Sequence, residues 1–233
     1  MPFQSNVYPL QQVLELACAA QRINKEYIKT LEAIYSDDYK VMSYKQANRT
    51  LMAATLGEDK ATYSDPMMCP QLLCTNLEDR ELANEIQKYY RRLAFVAIEG
   101  DNEFLTKVNS LLNSDSVAPN EFGWIACLPS VYKRDYAKTQ IEKRIRDIDA
   151  GYLAEVGSTM LDKDCEILES KRSQNFDAFN ICAIIDNKMV SWFSKTDLKL
   201  GACVVVKAKV KDHSEHWKYK NPVTRLNYVK AAQ

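Results

Sequence analysis

The sequence is poor in chain breakers, in histidine and in long apolar runs. Its 233 residues include 6 Gly, 7 Pro and 2 His. So little Gly and Pro excludes a collagen-like or low-complexity chain and disfavours a long flexible linker. The longest apolar runs, such as Ala202 to Val206, fall well below the roughly 18 residues of a membrane span. No membrane is therefore expected among the partners. The opening Met-Pro-Phe-Gln-Ser-Asn lacks the basic and apolar regions of a secretory signal. Neither Gly-x-x-x-x-Gly-Lys-Ser/Thr nor Gly-x-Gly-x-x-Gly occurs, which argues against a P-loop or a dinucleotide site. The 7 Cys are an odd number at irregular spacings (18, 69, 74, 127, 165, 182 and 203). Most sit in apolar company, as in Ala17-Cys18-Ala19 and Ala202-Cys203-Val204. They form no disulfide framework and read as reduced core thiols of a cytoplasmic protein. Cys69 and Cys74 lack a second pair at zinc spacing, and no cysteine stands near His213 and His216 to complete a metal site. Neither a metal nor another cofactor is expected.

What is present is ordinary for a globular protein: 46% hydrophobic and 27% charged residues. The length suits one large domain or two small ones. A net charge of zero hides a split. From Lys171 to Gln233 there are 12 basic and 5 acidic residues, a net of +7, which leaves the first 170 residues at −7. Such asymmetry implies different partners for the two parts. A basic segment attracts polyanions; an acidic one repels them or recruits a basic protein.

The first two-thirds read as helical. Leu10, Val13, Leu14, Ala17, Ala20, Ile23, Tyr27, Leu31 and Ile34 recur at steps of three or four, one helix face ending near Asp37-Asp38. Ser43 is expected to cap a second helix, Tyr44 to Leu56, stopped by Gly57. Thr75 and Glu78 fit a capping box for a third helix, which carries Leu82, Ile86, Tyr89, Leu93 and Ala97 and ends at Gly100. Asp101 or Asn102 then caps a short helix with Phe104, Val108, Leu111 and Leu112. Trp124 to Leu128 is a short buried segment. Ser130 caps a last helix with Ile141, Ile145 and Ile148 inside and Lys133, Arg134, Lys138, Lys143, Arg144 and Arg146 outside.

After Gly151 the period becomes strand-like. Five β segments are expected: Glu155 to Lys171, Phe179 to Ile185, Met189 to Phe193, Ala202 to His213 and Val223 to Val229. Asp186-Asn187 makes a tight turn between the second and third. Five short strands with no clear helix among them suit a barrel of the OB type; an SH3-like barrel or a sandwich fragment fits the pattern as well. The expected class is α+β, with a helical domain over 1–150 and a five-stranded OB-like β-barrel over 151–233.

The fourth strand is the most informative. Ala202, Val204, Val206, Ala208 and Val210 are expected to face the core. Lys207, Lys209 and Lys211 share the other face, ~6.5–7 Å apart along the strand. That is close to the phosphate spacing of an extended single strand, although such rows also serve merely to protect sheet edges. Arg225 and further lysines accompany them, interleaved with Trp192, Phe193, Trp217, Tyr219 and Tyr228. Rings stack on unpaired bases, and cations neutralise phosphates. Trp192 and Phe193 are neighbours on a strand, so one faces the core and the other is available for stacking. Trp217 and Tyr219 sit in the polar loop His213 to Pro222, where core packing does not explain them. His213 and His216 are suited to polar or stacking contacts.

Three stretches carry a resemblance: Ser191-Trp192-Phe193-Ser194; Gly201 with Val204-Val205-Val206-Lys207-Ala208-Lys209-Val210-Lys211-Asp212-His213; and Thr224-Arg225-Leu226-Asn227-Tyr228-Val229-Lys230. Together they resemble the OB-fold modules of bacteriophage single-stranded-DNA-binding and replication proteins. The resemblance covers about the last third of the chain. It implies a part in DNA replication, recombination or repair, within the host cytoplasm, and supplies no catalytic residue. The end of the chain, Val229-Lys230-Ala231-Ala232-Gln233, lacks the acidic tail of many bacterial single-strand binders. The expected function is therefore non-catalytic binding of single-stranded DNA, ahead of RNA, with a replication protein as a further partner. The expected binding residues are Trp192, Phe193, Lys207, Lys209, Lys211, His213, Trp217, Tyr219, Arg225 and Tyr228. An alternative is an adaptor or inhibitor whose acidic helical domain binds a host or replisome protein. A third reading, a metal-dependent nuclease, rests on Asp162, Asp164 and Glu166 alternating on one strand.

Overall fold

The computed structural model describes residues 6–99 and 103–232. In chain order the elements are β1 (Tyr8–Pro9), α1 (Leu10–Asn24), β2 (Glu32–Tyr35), β3 (Val41–Lys45), α2 (Asn48–Thr55), α3 (Leu77–Glu99), α4 (Glu103–Leu112), β4 (Ser116–Val117), α5 (Phe122–Arg146), β5 (Thr159–Arg172), β6 (Phe179–Ile185), β7 (Lys188–Ser194), β8 (Gly201–Glu215) and β9 (Pro222–Ala232). The class is α+β. The chain divides into two compact units, Met1–Tyr136 and Ala137–Gln233. This division falls inside α5, earlier than the expected 150/151.

The first unit buries the face that periodicity marks out. Leu10, Val13, Leu14, Ala17 and Ala20 of α1 are buried with Ile86 and Tyr90 of α3, Leu111 and Leu112 of α4, and Ile125 and Leu128 of α5. Helix α1 nevertheless stops at Asn24, ten residues before the last apolar step at Ile34. Lys25 is left-handed, with φ 65°. The Asn24 amide donates to Gln46 O at 2.9 Å and to Asn48 Oδ1 at 2.8 Å, and Ile28 N donates to Asn48 Oδ1 at 3.0 Å. These buried side-chain hydrogen bonds compete with helix propagation. Beyond them, Glu32 to Tyr35 and Val41 to Lys45 form the antiparallel ribbon β2–β3 where the first helix is expected to end and the second to begin; Ser43 lies in a strand and caps no helix, and α2 starts at Asn48 in place of Tyr44.

Two other boundaries differ from expectation. The cap of α3 is Asn76, one residue after Thr75: Asn76 Oδ1 accepts from Asp79 N at 2.9 Å, and Asp79 Oδ2 accepts from Asn76 N at 3.0 Å. Trp124 to Leu128 is not a separate segment. It belongs to α5, which runs through Pro129 at the loss of one backbone hydrogen bond. The expected end at Gly100 and cap at Asp101 or Asn102 lie outside the described residues.

The second unit is a closed barrel in the order β5-β6-β7-β9-β8. Neighbours are antiparallel except β7 and β9, which run parallel through Val190↔Thr224 and Ser191↔Arg225. With its chain crossing between β7 and β9, this is an OB-like barrel. Asp186 and Asn187 turn β6 into β7 with φ of 46° and 57°, as a two-residue hairpin requires. Inside lie Ile181, Ala183 and Ile185 of β6, Val190 and Trp192 of β7, and Leu226 of β9.

Strand β8 departs from expectation at its first half. Ala208 and Val210 are inside, as alternation predicts, but so are Cys203 and Val205, while Val204 and Val206 are exposed. The strand changes phase near Val206. Its partner β5 does so at Asp162, which is left-handed at φ 45°. Register is kept, Leu161↔Lys207 and Lys163↔Val205, so both strands turn one barrel corner together.

A second apolar patch lies on the barrel's outer surface. Leu168, Cys182, Ile184, Met189 and Val223 pack there against Ile145, with Ile141, Ile148 and Tyr219 around them. Of the expected inner face of the last helix, Ile141 and Ile145 lie on the last turns of α5 over this patch, and Ile148 joins them from just past the helix end. No helix among the described residues is long and apolar enough to cross a membrane.

Candidate functional site

A cleft of about 370 Å³ opens on the outer surface of β6 and β7, lined at one side by His216 and Trp217 of the loop 216–221; the loop 173–178 meets it only through the contact of Phe176 with Phe193. In OB folds the face of the second and third strands, with these two loops, is where oligonucleotides and oligosaccharides bind. Alternation positions the floor: Asn180 and Cys182 point outward from β6, Ser191 and Phe193 from β7. Lys171 and Glu169 enter from β5, Arg225 and Asn227 from β9, and Lys211 from β8.

Two exposed aromatic rings line the cleft, Phe193 on β7 and Trp217 on the loop 216–221. Phe193 is 52% exposed and meets Phe176 of the loop 173–178 edge-on, centroids 5.6 Å apart. At the other loop Trp217 is 77% exposed. That loop is ordered around His216, whose Nδ1 accepts from Lys218 N at 3.3 Å and Tyr219 N at 3.2 Å. An accepting Nδ1 requires the neutral ring. Burial pushes the His216 pKa below its ordinary 6.5; Glu169 opposes the shift, and Lys171 and Lys218 add to it. The His216 ring stacks on Tyr219 at 4.8 Å and lies 6.1 Å from Trp217.

Most cleft cations have a carboxylate partner. Lys171 pairs with Glu169 at 2.7 Å, and Arg225 with Asp212 at 3.4 Å. The Arg225 and Asp212 side chains are about two-fifths exposed, so the pair is worth little and is readily exchanged for a phosphate. Lys211 pairs with no carboxylate among the described residues.

The expected residues therefore separate. Phe193, Lys211, Trp217 and Arg225 meet at the cleft. Trp192 touches its floor, but at 4% exposure its ring belongs to the barrel core. Tyr219 is half-buried beside His216, under the Lys218 ammonium at 4.3 Å. His213 turns away from the cleft: its Nε2 is 2.8 Å from Ala154 O, and its ring lies flat on Tyr152 at 3.9 Å. Lys207, Lys209 and Tyr228 are exposed on β8 and β9 outside the cleft. Phe176, Lys171, Asn180 and Asn227 were not singled out from the sequence. Phe176 carries the signal that exposed Trp217, a lone ring in a polar loop, Ser173-Gln174-Asn175-Phe176-Asp177.

The acidic triad does not assemble. Asp162 and Asp164 are exposed, while Glu166 accepts from Arg144 at 2.9 Å. Among the described residues no group of three His, Cys, Asp or Glu side chains forms a metal site. All seven cysteines are free.

Comparison with models of protein families, with curated proteins and with solved structures gives no match.

Proposed function

We propose that the barrel binds single-stranded nucleic acid, DNA ahead of RNA, in the cleft over β6 and β7, and performs no chemistry on it. The observation that carries this reading is a single cleft lined by two exposed rings, one on β7 and one on the loop 216–221, together with three cations. Phe193 and Trp217 offer faces for bases, and Lys171, Lys211 and Arg225 offer charge for the connecting phosphates. Stacking of this kind contributes about 1–3 kcal/mol per base and tolerates any sequence. The +7 balance of residues 171–233 steers a polyanion to the same part of the chain. A role in phage-type replication, recombination or repair, in the host cytoplasm, is what the resemblance of the last third of the chain to phage single-stranded-DNA-binding modules implies. Fluorescence anisotropy with a labelled oligonucleotide tests the binding. Affinity that falls with added salt and with Trp217→Ala supports it; no binding at low salt removes it.

A further inference from the structure

Three lysines lie along β8, and the barrel itself gives them no use. Lys207, Lys209 and Lys211 all point outward, with Ala208 and Val210 buried between them. None pairs with a carboxylate among the described residues. Their cross-strand neighbours do not neutralise them either. Lys209 stands opposite Thr159 on one side and Asn227 on the other; Lys207 stands opposite Leu161 and Lys230. Like charges directly opposite on a sheet are destabilising. Protection of a free edge is not their purpose, because β8 is hydrogen-bonded to β5 on one side and β9 on the other. Lys211 also lines the cleft, so the row starts where the cleft ends. Tyr228, 79% exposed and left-handed at φ 54°, stands on β9 between the residues opposite Lys209 and Lys207.

We infer that this row is a second tract of the binding surface: a strand held in the cleft leaves it at Lys211 and runs along β8 over Lys209 and Lys207. The inference rests on the cleft reading above and adds its path. Strand spacing sets the backbone positions of successive lysines ~6.5–7 Å apart, a repeat that an extended single strand follows with one phosphate per lysine. The cleft holds bases between rings; the row holds backbone.

The test uses the full chain and oligo-dT of about 4 and about 16 nucleotides, which bracket OB site sizes. The variants are Lys207→Ala with Lys209→Ala, and the same pair changed to Arg, each with its thermal melt recorded. Wild type is expected to bind the long oligomer more tightly and with a steeper salt dependence. The alanine pair is expected to flatten the long oligomer's log–log salt slope by about 1.4, two contacts at about 0.7 each, and to leave the short one unchanged. The arginine pair keeps the wild-type slope. An unchanged slope in the alanine pair overturns the tract while leaving the cleft reading intact. Failure of wild type to bind either oligomer overturns the cleft reading, and the tract with it.

Discussion

Trp192 and Phe193 are adjacent on β7 and end in opposite environments, one in the barrel core and one on the cleft floor. Alternation required the split, and only the barrel's closure decided its sense. The two rings therefore fail differently when removed. Trp192→Ala is expected to lower stability by about 3–5 kcal/mol, read from urea denaturation. Phe193→Ala and Trp217→Ala are expected to leave the melting temperature nearly unchanged and to weaken oligonucleotide binding by about 1–3 kcal/mol each. The cysteines divide in the same way. Burial pushes the Cys18, Cys165 and Cys182 thiols up to about 12. A thiol reagent on native protein is expected to label exposed Cys69 and Cys74 rapidly, and the buried ones only after unfolding. His216 is one of the residues that tie acid to stability, beside Glu58, Glu121 and Glu142, whose hydrogen-bonded carboxyls are also held below their ordinary range. The folded pKa of His216 lies below 6.5, so its contribution is complete above that value and is lost as pH falls through the folded value. The ring-proton NMR titration of the 2 His should give His216 a midpoint below 6.5.

At the scale of elements, local signals succeeded where one force acted alone. The turn Asp186-Asn187 and the limits of β6 were legible because turn chemistry and alternation agree there. The end of α1 was not, because an apolar step of three or four persisted through Tyr27, Leu31 and Ile34 although those residues belong to a loop and a ribbon. What ends the helix is Asn24 bonding to Gln46 and Asn48, partners more than twenty residues away. The α3 cap was legible to within one residue, since Thr75 and Asn76 are both capping types. Asn76→Ala is expected to cost about 0.5–2 kcal/mol in denaturant unfolding, and Thr75→Ala much less. On β8, strict alternation placed Val204 and Val206 inside; the corner at Asp162 and Val206 reverses that phase and leaves the lysine face intact.

For the whole molecule, the boundary matters more than the element list. Composition changes near residue 151, but Ile141, Ile145 and Ile148 cover the apolar patch of Leu168, Cys182, Ile184, Met189 and Val223. A fragment 137–233 is expected to fold as a monomer. A fragment 151–233 leaves that patch open and is expected to melt lower or to associate, seen by calorimetry and by light scattering. The two-part plan, the five strands and the lysine spacing could be read along the chain, because each arises from neighbours a few positions apart. Which rings reach solvent, which cations meet Lys211 at the cleft, and that the lysine row lies on a strand paired on both sides emerged from the folded barrel. Those outcomes depend on barrel closure and on phase changes at its corners, which join residues far apart in the chain.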